Sequence, residues 1–363
     1  MKQSKNRVRR VFTWLIAILL VVIAASECFF NLTRPSQYQL DPELGWTLKL
    51  NFFRNLTQKS LDGKNYSVTF STDENGLRTH GDLKNAKIKI LVLGDSHTAE
   101  NYVSDNEMWY SVMVDRLNSI AGFPGKEYFV WAGGGGGWGS YQELLLLRRL
   151  LKQIRPDIFV LQFCSNDFVN NHKQWESVSI VRSQKFRRPY LDIDGQVSFS
   201  DDWSSLFWRH SILGASRAFN FFDILIQIGQ SKYYGGFGPT LDKETQLRYS
   251  KESISITQKI ITQMRNELGS IPAFMVTCSS TEVNNDWIDI AKKGGFTPLP
   301  QAFDLMHSYV RGDVYSMLEK KSFHPEGSFL HADAGHLNPR GNFEYGVATA
   351  DALIPFLRQA NKE

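Results

Sequence analysis

Four short runs of large apolar residues, Ile88 to Leu93, Tyr128 to Ala132, Ile158 to Phe163 and Ala273 to Cys278, constrain the fold of this chain most. Each is too short for a buried helix, and stretches of helical periodicity separate them. A strand that is apolar throughout must be covered on both faces, and helical connections let successive strands run parallel. The expected class is α/β: a mostly parallel sheet between two helical layers, a three-layer α/β/α sandwich. With 363 residues and 42% hydrophobic content, the chain has enough apolar surface for that core.

The connecting helices are expected around Met108 to Ile120, Tyr141 to Ile154, Lys243 to Leu268, Asn285 to Ala291 and Phe343 to Leu357, the last preceded by the start signal Asn338-Pro339. Gln301 to Leu305 reads as a further strand. Upstream, Leu40 to Leu83 alternates as short strands do, in Trp46 to Leu50 and Tyr66 to Thr72, with turn signals at Asp62-Gly63 and Asn75-Gly76. The stretch from Asn170 to Pro239 fits the repeating unit poorly. It carries a hairpin signal at Asp194-Gly195 and then Trp203, Phe207, Trp208, Phe219, Phe221 and Phe222, aromatics that either line a groove or simply pack. The organisation expected is a tail, apolar helix and linker over 1–37, a β-rich lead-in over 38–86, and the main domain over 87–363 with an insertion at about 170–240.

Val11 to Ser26 carries no charge and, with Cys28 to Phe30, approaches the roughly 20 residues that cross a bilayer as a helix. Lys2, Lys5, Arg7, Arg9 and Arg10 precede it, which favours a cytoplasmic N-terminus and an extracytoplasmic main domain, periplasmic or extracellular. The reading is a single-pass signal anchor, with the membrane as a partner; Ala24-Ala25-Ser26 keeps a cleaved signal peptide open. The formal net charge is +4, and without those five residues the balance is near neutral, so no nucleic-acid partner is expected. Cys164 and Cys278, both at ends of apolar strands, are expected as buried free thiols.

Polar signatures stand at the strand ends. Gly94-Asp95-Ser96-His97 places a hydroxyl on a strand-to-helix turn, where a serine is either a nucleophile or a helix cap. Asp333-Ala334-Gly335-His336 spaces a carboxylate and an imidazole so that the first fixes the tautomer of the second. Adding His331 makes a His-X-Asp-X-X-His pattern that also suits a metal. Gly133 to Gly137 lacks the Gly-Lys-Ser/Thr of a phosphate loop and is better read as offering the Gly137 amide to an oxyanion, to which Asn166 of Cys164-Ser165-Asn166-Asp167 adds its side-chain amide.

In this order, the blocks at Ser96, Gly137, Asn166 and Asp333/His336 resemble those of the SGNH hydrolases, the GDSL-like esterase superfamily. The resemblance implies a flavodoxin-like sheet, Ser96 as nucleophile, His336 as base supported by Asp333, and an oxyanion hole from the amides of Ser96 and Gly137 and the Asn166 side chain. It departs at Phe163-Cys164, where many members have glycine, and in the aromatic insertion. Asp41 to Trp46 and Asn75 to Arg78 are also similar to the lead-in of membrane-anchored bacterial members, some of which act on cell-envelope polysaccharides. The expected function is an exported carboxylic ester hydrolase that removes acyl groups, acetyl above all, from an envelope carbohydrate or lipid ester. It would need no metal or organic cofactor. The alternatives are an O-acyltransferase acting on a surface polysaccharide and a non-catalytic glycan-binding scaffold.

Overall fold

The computed structural model describes residues 2–33, 36–99, 101–120, 127–178, 187–200, 241–278, 285–319 and 322–359. The six aromatics expected to mark the insertion lie outside these residues. Along the chain come α1 (Lys2–Thr33), β1 (Tyr38–Asp41), β2 (Gly45–Leu48), β3 (Phe53–Lys59), β4 (Asn65–Ser71), β5 (Arg78–His80), β6 (Ile88–Gly94) and α2 (Ser96–Ala99). These are followed by α3 (Trp109–Ser119), β7 (Tyr128–Gly134), α4 (Ser140–Leu150), β8 (Ile158–Phe163), α5 (Asn166–Asn171), α6 (Lys173–Val178), β9 (Pro189–Leu191) and β10 (Val197–Phe199). The last part holds α7 (Lys243–Leu268), β11 (Ala273–Thr277), α8 (Asp286–Lys293), β12 (Thr297–Pro298), α9 (Gln301–Glu319) and α10 (Pro339–Gln359).

Six strands form the central sheet in the order β12-β11-β8-β6-β7-β5, all parallel except β5, which runs antiparallel to β7 at one edge. Side chains alternate across it. Leu91, Leu93, Phe159, Leu161, Phe163, Ala273 and Met275 pack beneath α4, α7 and α8, while Ile90, Val92, Ile158, Val160, Phe274 and Val276 pack beneath α3, α9 and α10. This period-two partition of uniformly apolar strands is what a doubly covered sheet requires. The mixed α/β class with a mostly parallel sheet therefore stands as expected.

Helix α7 turns Ile256, Ile260, Ile261, Met264 and Leu268 toward the sheet, and its first turn is capped by Asp242, whose carboxylate accepts the Thr245 N–H at 2.8 Å. The expected strand at Gln301 to Leu305 is instead the first turn and a half of α9. Ala302 and Phe303 are buried, and the apolar spacing continues through Tyr309, Val310 and Val314 at helical intervals, a periodicity that a five-residue window does not display. The strand in this region is the two-residue β12, just upstream.

The lead-in forms two hairpins, β1–β2 and β3–β4, before β5 joins the sheet. Arg78 of β5 is fully buried, with Nε 2.7 Å from Asp105 Oδ1 and Nη2 donating to the Val103 carbonyl at 2.7 Å. On the other side Arg149 of α4 grips Asp41 through both guanidinium nitrogens at 2.6 and 3.0 Å. Residues Arg10–Phe29 of α1 form a helix long and apolar enough to cross a membrane, with side chains such as Trp14, Leu20 and Val21 exposed.

Candidate active site

The order β7-β6-β8-β11-β12 is that of flavodoxin-like sheets, in which the chain first steps to one side of β6 and then to the other. The loops leaving β6, β7 and β8 therefore flank one crevice at the carboxyl edge. Ser96, Gly137 and Asn166 follow those three strands, and all are partly exposed. Backbone contact between neighbouring strands makes the crevice narrow: a Cβ on Gly134 would lie 2.0 Å from the Gly94 carbonyl oxygen, so only glycine lets β7 approach β6 there.

Ser96 is the first residue of α2, and the residue that caps this helix is Asp95. The Asp95 carbonyl accepts the N–H groups of Thr98 and Ala99 at 3.2 and 3.0 Å, and its Oδ1 accepts that of His97 at 3.1 Å. The Ser96 hydroxyl is thus spared from capping, and its Oγ lies 2.8 Å from His336 Nε2. The other ring nitrogen, Nδ1, is 2.6 Å from Asp333 Oδ2. An ionised carboxylate only accepts hydrogen bonds, so Nδ1 carries the ring proton and Nε2 presents a lone pair to the serine hydroxyl.

The loop carrying Asp333 and His336 is wound tightly. Asp333 Oδ1 accepts the N–H groups of Gly335 and His336 at 2.9 and 3.1 Å, and Ala334 takes the left-handed conformation at φ 58°. A bridge between Leu330 and Leu337 closes its base. Next to it Asn338 starts α10: its Oδ1 accepts the Gly341 N–H at 3.0 Å, while its Nδ2 donates to the Ser328 carbonyl at 2.7 Å. Burial works to raise the Asp333 pKa, but hydrogen bonds from His331 and His336 outweigh it and hold the carboxyl well below its ordinary range. His97, whose ring centroid lies 4.8 Å from that of His336, is pushed down to about 3 by burial and by the neighbouring imidazole.

On the oxyanion side, Gly137 adopts φ 70° in the turn after β7, and neither its N–H nor that of Ser96 donates to an acceptor among the described residues. Asn166 Nδ2 donates to Asp95 Oδ2 at 2.9 Å. A group of carboxyls lies buried behind this rim: Asp95, Glu143 and Asp167 are all at most 1% exposed, and burial raises each pKa. Asp167 Oδ2 accepts the Cys164 N–H at 2.9 Å, and neither Glu143 oxygen has a hydrogen-bond partner among the described residues.

Cys164 and Cys278 are not free thiols, as expected from the sequence, but a disulfide with Cα atoms 5.1 Å apart. The reason lies in the register of the sheet: Phe163 of β8 pairs with Thr277 of β11, so the next residue of each strand arrives side by side. Apolar periodicity alone does not show that these strands are neighbours. His97, Cys164 and Cys278 form the metal-ligand-like grouping among the described residues, and sulfurs joined to each other offer no thiolate to an ion.

Several residues at the site carry no motif in the sequence. The Tyr38 hydroxyl accepts the Gly136 N–H at 2.8 Å, tying the lead-in to the glycine turn. Ser60 bridges His331, and the Ala332 N–H donates to the Lys59 carbonyl at 2.8 Å, so the β3–β4 hairpin supports the histidine loop. Tyr102 lays its ring 4.5 Å from His336 and 4.3 Å from His331. Arg188, immediately before β9, donates to the Gly137 carbonyl. Nothing local marked these residues, since each acts on partners far along the chain.

Residues 90–192 match the family described as GDSL-like Lipase/Acylhydrolase. No curated protein sequence matches the chain. Among solved structures, it is similar to the psychrotrophic esterase EstA from Pseudoalteromonas sp., at 10% identity and TM-score 0.40, covering 74% of this chain and 98% of that one. It is also similar to an acetyl xylan esterase, Est2A, from the rumen bacterium Butyrivibrio proteoclasticus, at 12% identity and TM-score 0.35, covering 82% of this chain and 67% of that one. The family match spans the strands that deliver Ser96, Gly137 and Asn166 to one crevice, so this segment of the chain is similar to the GDSL-like lipases and acylhydrolases.

Proposed function

We propose that the protein is an exported serine esterase, anchored by α1, that removes a small acyl group, acetyl above all, from a cell-envelope carbohydrate. The observation that carries the mechanism is the relay from Asp333 Oδ2 to His336 Nδ1 at 2.6 Å and from His336 Nε2 to Ser96 Oγ at 2.8 Å. Ser96 Oγ attacks the ester carbonyl as its proton passes to His336 Nε2, and Asp333 stabilises the imidazolium. The oxyanion is received by the N–H groups of Ser96 and Gly137 and by the Asn166 amide. As the tetrahedral intermediate collapses, His336 returns the proton to the leaving alcohol. Water then attacks the acyl carbonyl as its proton passes to the same nitrogen, and collapse of the second tetrahedral intermediate breaks the bond to Ser96 Oγ, which takes that proton back from His336 as the acid leaves.

The carbohydrate assignment is supported by the lead-in motifs and by an open, polar rim: Asp333 and Gly335 are exposed, and His331 and Tyr102 are partly so. The apolar helix Arg10–Phe29, with its basic residues ahead of it, supports the anchor.

Purified protein should hydrolyse p-nitrophenyl acetate and take up a fluorophosphonate probe, and Ser96→Ala should abolish both. Acetate release from acetylated xylan and alginate tests the substrate class. Faster transfer of acetyl to a sugar hydroxyl than release of acetate would make the enzyme an acyltransferase, and no labelling at all would leave only a binding role. A variant beginning after Thr33 should leave the membrane fraction and keep its activity.

A further inference from the structure

Very little chain joins the apolar helix α1 to the crevice. Ser36 is already held where β1 begins, since its Oγ accepts the Tyr38 N–H at 3.1 Å, and the buried Gln37 offers its carbonyl to the Lys49 N–H at 2.8 Å. Only Arg34 and Pro35 lie between Ser36 and Thr33, the last residue of α1. Tyr38 in turn reaches the oxyanion turn directly, its hydroxyl accepting the N–H of Gly136, the neighbour of Gly137.

Covalent geometry then sets a ceiling on the height of the crevice above the bilayer. The Cα steps from Thr33 to Tyr38 span at most about 18 Å even when fully extended. Phe29, where the apolar span ends, lies further back in the helix by about 6 Å of rise. Tyr38 therefore stands no more than about 24 Å beyond the apolar span, and headgroups occupy roughly the first 5–7 Å of that. A domain of this length has a radius of gyration of about 20 Å and is roughly 50 Å across. Had the chain entered at the far side, the crevice would stand that full width away; it lies instead in the half nearest the membrane.

At the same end of the lead-in, two apolar side chains are exposed. The turn from β2 to β3 follows directly on Lys49, with Asn51 at φ 49° and its N–H on the Asp73 carbonyl at 2.8 Å. Leu50 is 49% exposed and Phe53 64%. The other outward residues of the β3–β4 hairpin, such as Asn55, Thr57, Ser67 and Thr69, are polar, so these two do not belong to a general apolar face. They sit beside the point where the chain arrives from α1, as side chains of a membrane interface do.

Resting on the anchored-esterase reading above, we propose that the acylated carbohydrate is carried on a lipid in the same membrane, and that Leu50 and Phe53 seat the domain on the bilayer so that the crevice stays at that height. Enzyme and ester then meet within one thin layer, where shared anchoring replaces bulk encounter with a high effective concentration.

The test uses the full chain reconstituted in phosphatidylcholine vesicles. Turnover of p-nitrophenyl acetate and its loss in Ser96→Ala check the esterase reading, and retention in the vesicle pellet after an alkaline carbonate wash checks the anchor, so failure of either is seen separately. The probe is an umbelliferyl acetate joined by a short spacer to a dialkylglycerol, supplied in the enzyme's own vesicles or in separate ones. At equal bulk concentration, hydrolysis in shared vesicles should be faster by about tenfold or more. A helical insert of roughly 20 residues between Arg34 and Pro35 lifts the domain by about 30 Å and should bring the shared-vesicle rate down to the separate-vesicle rate. Leu50→Ser/Phe53→Ser, checked for its fold by circular dichroism, should lower the shared-vesicle rate several-fold. Both variants should keep wild-type turnover of p-nitrophenyl acetate. Equal rates in the two arrangements, an insert variant that keeps the advantage, or a Leu50→Ser/Phe53→Ser variant as fast as wild type in shared vesicles would each overturn the inference.

Discussion

The His97 ring packs 4.8 Å from the His336 ring, tilted 35° to it, and burial keeps it uncharged. Two imidazoles this close cannot both hold a charge cheaply, so the neutral His97 leaves His336 free to take up the serine proton. A histidine whose folded pKa lies at about 3 and whose unfolded pKa is near 6.5 draws protons toward the unfolded chain as the pH falls between those values. His97→Gln should therefore gain stability relative to wild type as the pH drops from about 7 to about 4. Urea midpoints measured across that range would refute this if the two curves stayed parallel.

Asp333 behaves in the opposite sense. Its depressed carboxyl pKa means that it remains ionised in the folded protein well below pH 4, and the stability it contributes is lost only as the pH falls further. The acid limb of kcat/KM should accordingly follow one proton, that of His336. Asp333→Asn should lower kcat on the order of 10³–10⁴-fold, with KM little affected, because the imidazole is then free to adopt the wrong tautomer. Steady-state kinetics with p-nitrophenyl acetate between pH 4 and 9 checks both statements.

Glu143 is fully buried beneath the crevice with neither oxygen bonded to the described residues, and burial together with the Asp95 charge raises its pKa, so it keeps its proton to higher pH than it does in the unfolded chain. The unfolded chain gives that proton up above its ordinary pKa, so the folded state is penalised increasingly as the pH rises past that value. Glu143→Gln removes the penalty. Its melting temperature should match wild type near pH 4.5 and exceed it by several degrees at pH 8, a difference that differential scanning calorimetry at the two values resolves.

The Cys164–Cys278 disulfide closes a loop of 114 residues between neighbouring strands. Cys164→Ala/Cys278→Ala should be less stable by about 2–5 kcal/mol, and a reductant should lower the melting temperature of wild type but not of the variant. Peptide mapping without reduction should recover the 164–278 crosslink and leave Cys28 alkylatable. Two alkylated thiols at 164 and 278 in non-reduced protein would contradict the pairing.

The parallel sheet was legible because Ile88 to Leu93 and Ile158 to Phe163 are apolar at nearly every position, a pattern that few other environments accept. Ser96, Asp333 and His336 were legible because their chemistry is local: a turn after a strand, and a carboxylate three residues from an imidazole. Gln301 to Leu305 was misread since a short apolar run looks alike in strand and helix until its continuation is weighed. The disulfide depended on strand order, which no single segment encodes. Arg188 was illegible for the same reason: its partners come from the glycine turn, α5 and α6, and only the folded chain assembles them.

Gly134 sits where the backbone of β7 touches that of β6, leaving no room for even a methyl group. The width between the strand bearing Ser96 and the strand bearing the glycine turn is thereby a constant of the scaffold, not something a substitution can tune. A library built to alter substrate preference should leave this position untouched. Diversity belongs instead at Tyr102, whose ring borders those of His331 and His336.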